Sequence, residues 1–212
     1  MHKGKVLTKS RTSRAKVERG SAAGYSKGLA KREEILVGLM NALVRGELRN
    51  PSLRAVGQAL GIEPAHILYY FGGREELMQA AIVRWDEDAI NRNPYSPSNG
   101  IGLDEYVTTI GNNVARPGIV DLYLAFAAEA LESSYPAHEF IRKRFGHARN
   151  SLAGAIRREQ EVGKIVAEVD AEIEVRPLIA LADGLQLQSL IDPGVDAVAH
   201  IATAIAQLRT GT

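Results

Sequence analysis

Cysteine is absent from the chain, which excludes a disulfide framework and any thiolate-bound metal and suits a reducing cytoplasm. Long apolar runs are missing too. Nothing approaches the roughly 20 apolar residues that span a bilayer, and the basic N-terminus has no apolar stretch behind it, so the expected protein is cytoplasmic, with no membrane partner. The five histidines (His2, His66, His138, His147 and His200) have no paired histidine or carboxylate at ligand spacing, so neither a metal nor another cofactor is expected. No glycine-rich phosphate loop and no nucleophile elbow occurs, and the chain does not read as an enzyme. Asp183-Gly184, inside a helical stretch, reads as a packing feature rather than a catalytic acid.

What the chain has is an uneven spread of charge. The net charge is +1. Residues 1–90 nevertheless hold 15 Lys and Arg against 10 Asp and Glu, a net +5, while residues 91–212 hold 11 against 15, a net −4. Ten of the basic residues lie in 1–32 against the single acid Glu18. With few apolar residues and several Ser and Gly, residues 1–28 read as a flexible arm, either drawn to phosphates or simply a solvated tail.

Helical periodicity runs through the rest. Ile35, Leu36, Leu39, Met40, Leu43 and Val44 recur at spacings of three and four within a first helix from Leu29 to Arg45, and Asn50-Pro51 closes the connection after it. Ser52 then stands as an N-cap before Leu53, Val56 and Leu60, the apolar stripe of a short helix that Gly61 interrupts. Pro64, with Ala65 behind it, sits where a first helical residue belongs and opens a helix of about two turns. On that helix Ile67, Leu68 and Phe71 fall on one side, and His66, Tyr69 and Tyr70 on the other. The apolar side must pack on the preceding helix, because so short a helix does not persist alone. An imidazole and two phenols then face outward, as a helix entering a major groove requires, the alternative being that one tyrosine folds back as a partly buried aromatic. After Gly72-Gly73, Arg74-Glu75-Glu76 opens a long fourth helix through Trp85 to about Ile90, and Arg74 beside exposed N–H groups is a candidate for a phosphate.

This stretch resembles the helix-turn-helix of the TetR family of bacterial transcriptional repressors. Ala59 or Leu60, Gly61, Ile62, Phe71, Glu75 and Leu77 match the family pattern. Three positions depart from it: Glu63 stands for the usual Ser cap, Leu68 for the usual Tyr, and Gly73-Arg74 for Ser-Lys. The resemblance implies operator DNA as partner and Ser52, Pro64, Ala65, His66, Tyr69, Tyr70 and Arg74 as the residues nearest to it.

Residues 91–102, NRNPYSPSNGIG after Ile90, are turn-rich and aperiodic and mark a boundary. Helices follow over Leu103–Arg116, Ile119–Ser134 and Ala137–Val162, the last closed by Gly163. An eighth opens at Asp170, with Pro177 as a kink or as its true start, and runs to Leu190 or Ile191. A ninth carries Val195, Val198, Ile201, Ala202, Ile205 and Leu208. The expected fold is all-α, a three-helix head followed by a C-terminal helical bundle, about nine helices in all. Its divisions are an arm at 1–28, a head with the start of a connecting helix at 29–91, and a body at 92–212.

LADGLQLQSLIDP, with GHARNSLAGAIRREQEVGKI before it, resembles the body of TetR regulators similar to the betaine- and choline-responsive subgroup, so the resemblance spans residues 31–209. It implies a homodimer through residues 171–208 and a small organic effector. The effector site is expected at Tyr106, Asn112, Tyr123, Phe126, Glu129, Phe145, His147, Asp183 and Gln186, a mostly apolar set with a few polar groups, unless these side chains only fill the core. Arg116 and Arg144 could meet an anion as readily as Glu129 and Asp183 a cation. Two functions stand against each other: a ligand-released repressor on palindromic DNA, and a helical ligand-binding or interaction protein without DNA affinity.

Overall fold

The computed structural model describes residues 10–91 and 100–211, with side chains over residues 26–89 in the first segment. Among the described residues there are nine helices and no strand: α1 (Ser10–Val44), α2 (Leu53–Leu60), α3 (Pro64–Phe71), α4 (Arg74–Asn91), α5 (Leu103–Val114), α6 (Pro117–Glu129), α7 (His138–Glu161), α8 (Ala171–Ile191) and α9 (Ala197–Thr210).

The first helix runs through much of the stretch expected as an arm. From Ser10 onward the backbone is helical and continuous with the core helix, and only residues 1–9 of the arm lie outside the described residues. The physical reason is the lack of a breaker: the first proline in the chain is Pro51, and single glycines cost a helix only about 1 kcal/mol each. Most of the expected boundary segment, residues 92–99, also lies outside the described residues.

Local signals fix most helix ends. The Ser52 side chain accepts from the Ala55 N–H. Gly61 adopts the left-handed region at φ 64°, and the N–H groups of Gly61 and Ile62 both close on the Gly57 carbonyl. Glu63, the departure from the usual Ser, makes no side-chain cap. Pro117 begins α6 where the sequence places a stop, at the position in which a missing N–H costs nothing. Asp170 caps α8 by accepting from Glu172 and Ile173. Pro177 lies inside that helix, so it is not its start.

Two apolar cores result. One is built by α1 to α4 but includes Ile119, Leu122 and Phe126 of α6 and Ile141 of α7, so it crosses the expected boundary between head and body. The other joins α5, α7, α8 and α9 around Leu152, Ile156, Val175, Ile201 and Ile205. Contact between α1 and α6 is close: a Cβ on Gly118 would stand 2.4 Å from the Leu43 carbonyl oxygen.

Candidate DNA-facing helix and effector cavity

On α3, Ile67 and Phe71 are fully buried, while Tyr69 is 81 % exposed and His66 and Ala65 are exposed beside it. Two residues depart from the expected division. Leu68 is exposed, and Tyr70 is half-buried against the head core, its ring edge-on to Tyr69 at 5.0 Å. At about 100° per residue, Leu68 and Tyr70 each stand about 80° from the line between Ile67 and Phe71. Periodicity therefore does not choose between them; the larger apolar area of the Tyr70 ring, laid on the core, does. Ser52 and Pro64 frame the turn, Ser52 exposed and Pro64 half-buried. Arg54 of α2 and Arg49 before it are exposed in the same region, two basic side chains that lie outside the motif.

Arg74, expected near a phosphate, is engaged within the protein. Its guanidinium turns inward, donating to Glu129 at 2.9 Å, to the Pro51 carbonyl at 3.1 Å and to Tyr135 at 3.4 Å, and to Asn50 as well. Glu129, expected in an effector site, is the other half of this clamp and also accepts from Tyr135 at 2.7 Å. Burial would raise its pKa, but the hydrogen bonds from Tyr135, Asn50 and Arg74 outweigh that and hold it below the ordinary value. Asn50, at φ 37°, makes the tight bend that presents its amide to the carboxylate.

A cavity of about 120 Å³ opens between α4, α5, α6, α7 and α8. Of the expected residues, Tyr106, Tyr123, Phe145, Asp183 and Gln186 line it. Four do not. Phe126 is wholly buried in the head core, Glu129 serves the clamp, His147 is exposed on α7, and Asn113 rather than Asn112 lines the cavity. One helical step separates the two asparagines, which the periodicity of α5 does not resolve. Asn113 accepts from the Trp85 indole N–H at 2.9 Å and donates to Gln186 at 3.0 Å, tying α4, α5 and α8 together. Trp85 and Asp86 complete the α4 wall; their part was hidden because their partners lie far off in sequence.

The charges are distributed unequally. Arg144 makes a two-pronged pair with Asp86, both contacts at 2.9 Å, and lies 4.4 Å over the Tyr123 ring. Burial opposes its charge, but the hydrogen bonds and charge of Asp86 raise its pKa all the same. Asp183 receives only the Tyr123 hydroxyl, 3.4 Å from each carboxylate oxygen. Burial pushes the Asp183 pKa up against the opposing effects of Arg144 and Tyr123. The Tyr106 and Tyr123 hydroxyls are also pushed up, mainly by burial. Arg116 is held over the Trp85 ring at 5.4 Å.

A three-helix head whose α3 presents tyrosine, on a helical body that encloses a side-chain-lined cavity, is the architecture of the TetR-type transcriptional regulators. The chain has that fold. It aligns with a chain described as a TetR-family transcriptional regulator from Rhodococcus sp. at a TM-score of 0.64 and 23 % identity, covering 85 % of this chain and 99 % of that one. Salmonella enterica GusR aligns at 0.62 and 21 % identity, covering 86 % and 96 %. A transcriptional regulator from Pseudomonas aeruginosa PAO1 aligns at 0.59 and 22 %, covering 86 % and 91 %. Residues 108–210 match the family model of the BetI-type transcriptional repressor C-terminal domain. No curated protein sequence matches the chain. No helix among the described residues is long and apolar enough to cross a membrane.

Proposed function

We propose that this chain is a cytoplasmic, dimeric transcriptional repressor that binds palindromic operator DNA and is released by a small organic effector. The observation that carries the reading is the course of α4. It begins at Arg74, three residues after α3 ends at Phe71, and delivers Trp85 and Asp86 to the cavity wall. One rigid helix thus joins the exposed tyrosine helix to the cavity, and a ligand that favours one position of α4 sets the position of α3. His66 and Tyr69 are the foremost DNA-facing groups, with Ser52, Ala65 and the Tyr70 hydroxyl beside them and Pro64 shaping the helix start. Effector contacts fall to Tyr106, Tyr123, Phe145, Asp183 and Gln186.

A single short reading helix offers few contacts, so two must act together, on half-sites roughly 34 Å or a multiple apart. Exposed apolar side chains on α8 and α9 supply the surface for pairing: Ile173 at 63 %, Leu187 at 50 % and Ile191 at 79 % exposure, with Leu181 on α8 and Val198 on α9 also exposed. A like patch on each protomer fits a two-fold contact.

The test is a mobility-shift titration of the purified chain on the DNA upstream of its own gene, run at two salt concentrations. A shift that weakens steeply with salt, saturates at two chains per site and is reversed by a compound occupying the cavity supports the reading. Failure to shift that DNA or a randomised operator library leaves a helical ligand-binding protein instead.

A further inference from the structure

Around the axis of α3 the exposed residues follow one another as Leu68, Ala65, Tyr69 and His66 across about 160°, with Ile67 and Phe71 buried opposite and Pro64 and Tyr70 half-buried at the two borders. The surface is split. Tyr69 and His66 carry hydrogen-bonding groups, while the side chains of Ala65 and Leu68 carry none. Leu68 is 44 % exposed and, among the described residues, belongs to neither apolar core; the Tyr70 ring rests there instead. A single exposed leucine is ordinary on a protein surface. This one, however, lies on a helix, PAHILYYF, without a charged residue, whereas exposed Leu29 stands between Lys27 and Lys31 and exposed Leu131 beside Glu132. The cations of the region are at Arg49 and Arg54, outside α3. A helix face that is uncharged and half apolar, with cations in the same region, suits the floor of a major groove bordered by phosphates.

We infer that Leu68 selects a thymine, its side chain packing on the C5-methyl group of that base in each operator half-site. This rests on the reading of α3 as the DNA-facing helix and names a base that the helix reads. The thymine methyl is the one apolar group that base edges present in the major groove. Packing takes both partners out of water, and thymine is favoured by the burial of that methyl. Cytosine at the same position would set its amino group against a side chain that cannot accept. The purine acceptors would likewise lose their water without gaining a donor. Tyr69 and His66 can answer donors and acceptors on the other half of the face, so Leu68 adds the one feature of a base edge that they do not read.

The experiment uses the full chain and a randomised duplex library, from which repeated binding and amplification give the preferred half-site. In the selected duplex each thymine is then exchanged in turn for deoxyuridine, which removes the methyl group and keeps every hydrogen-bonding atom. At one position the exchange should weaken binding by roughly fourfold for each half-site altered, the worth of one buried methyl group. Leu68→Ala should bind the thymine duplex less tightly by a similar factor and should not distinguish thymine from deoxyuridine at that position. Leu68→Met, with an apolar side chain of similar size, should keep most of the discrimination. Both variants should unfold at the parent's midpoint, because Leu68 lies on the surface. A selected half-site without thymine would overturn the inference and leave a DNA-binding chain. So would a deoxyuridine effect undiminished in Leu68→Ala, a loss in Leu68→Ala that is equal on all sequences, or no loss at all. A parent chain that selects no duplex removes the repressor reading and the inference with it.

Discussion

Arg74 Nη1 donates to Glu129 Oε2 at 2.9 Å, so the first residue of α4 is held to the last residue of α6. The pair sits where head meets body, with Asn50 and Tyr135 completing it. Arg74→Gln should therefore reduce stability by about 2 kcal/mol, since it removes charge-assisted hydrogen bonds from a guanidinium that is mostly buried. Urea unfolding checks the size. A phosphate-binding arginine would behave differently, leaving the midpoint alone and lowering the salt slope of DNA binding by about one. That second pattern would refute the clamp.

The same clamp has a pH signature. Hydrogen bonds hold the Glu129 carboxyl below its ordinary value of 4.5, against the opposing effect of burial. A carboxyl whose pKa is lower in the folded state adds stability above its unfolded pKa and loses it as pH falls through the folded one. Stability should thus drop as pH goes below about 4.5, and Glu129→Gln should flatten that part of the curve relative to the parent. Thermal unfolding across pH 3 to 6 shows it. Superimposable curve shapes would mean that the carboxylate gains nothing from its partners.

On α3 the buried and exposed residues should separate cleanly. Phe71→Ala should cost about 3 kcal/mol or more and unfold the head, because Phe71 is 1 % exposed and carries Arg32 over its ring at 4.4 Å. Tyr69→Phe should leave the unfolding midpoint unchanged while weakening operator binding by about 1 kcal/mol, the worth of one phosphate hydrogen bond. Tyr70→Ala, unlike Tyr69→Ala, should lower stability as well, since its ring rests on the core. Paired denaturation and mobility-shift titrations separate the two quantities. Equal stability losses for the two tyrosine-to-alanine changes would contradict the half-buried placement of Tyr70.

Much of this fold was legible because its signals are local. Ser52, Gly61, Gly163 and Asp170 mark helix ends by the hydrogen bonds or backbone angles open to them, Pro64 by its missing N–H and fixed φ, and each stands at the end it announces. The site was less legible because its geometry depends on partners distant in sequence. Arg74 and Glu129 are 55 residues apart, Arg144 and Asp86 58, and Asn113 and Gln186 73. An isolated arginine at a helix start reads as a phosphate ligand until the carboxylate opposite it is placed. The Asn112-Asn113 pair shows the other limit. Neighbours on a helix differ by about 100° in direction, and only the tertiary fit of α5 aims one of them at Trp85.

Pairing through α8 and α9 predicts opposite outcomes at two leucine and isoleucine positions. Leu187, half exposed on α8, should accept Glu with little loss of protomer stability but yield monomers that no longer bind a palindromic site. Ile201 lies within the sequence segment assigned to the contact but is 0 % exposed and faces the protomer's own core. Ile201→Glu should unfold the body, by burying an unpaired charge. Light scattering and circular dichroism on both variants give the answer. A Leu187→Glu chain that stays dimeric would move the contact off this face.

Gly118 offers the sharpest steric prediction. On α6 its missing side chain lets the helix approach the end of α1 so closely that a Cβ would stand 2.4 Å from the Leu43 carbonyl oxygen and 2.8 Å from that of Leu48. Both are backbone atoms, so no rotamer change relieves the overlap; α6 must back away from α1. Gly118→Ala should cost about 2 kcal/mol, in the range of other overpacked core sites. Gly146 on α7 is the control, because a Cβ there meets nothing within 4 Å. Gly146→Ala should raise stability by about 0.5–1 kcal/mol through its helix propensity alone. The α1–α6 contact lies between the head and the cavity walls, so Gly118→Ala should also change operator affinity, whereas Gly146→Ala should not. Two alanine variants of equal stability would show that α6 can retreat freely, and the coupling of head to body would then have to rest on the Arg74 clamp and α4 alone.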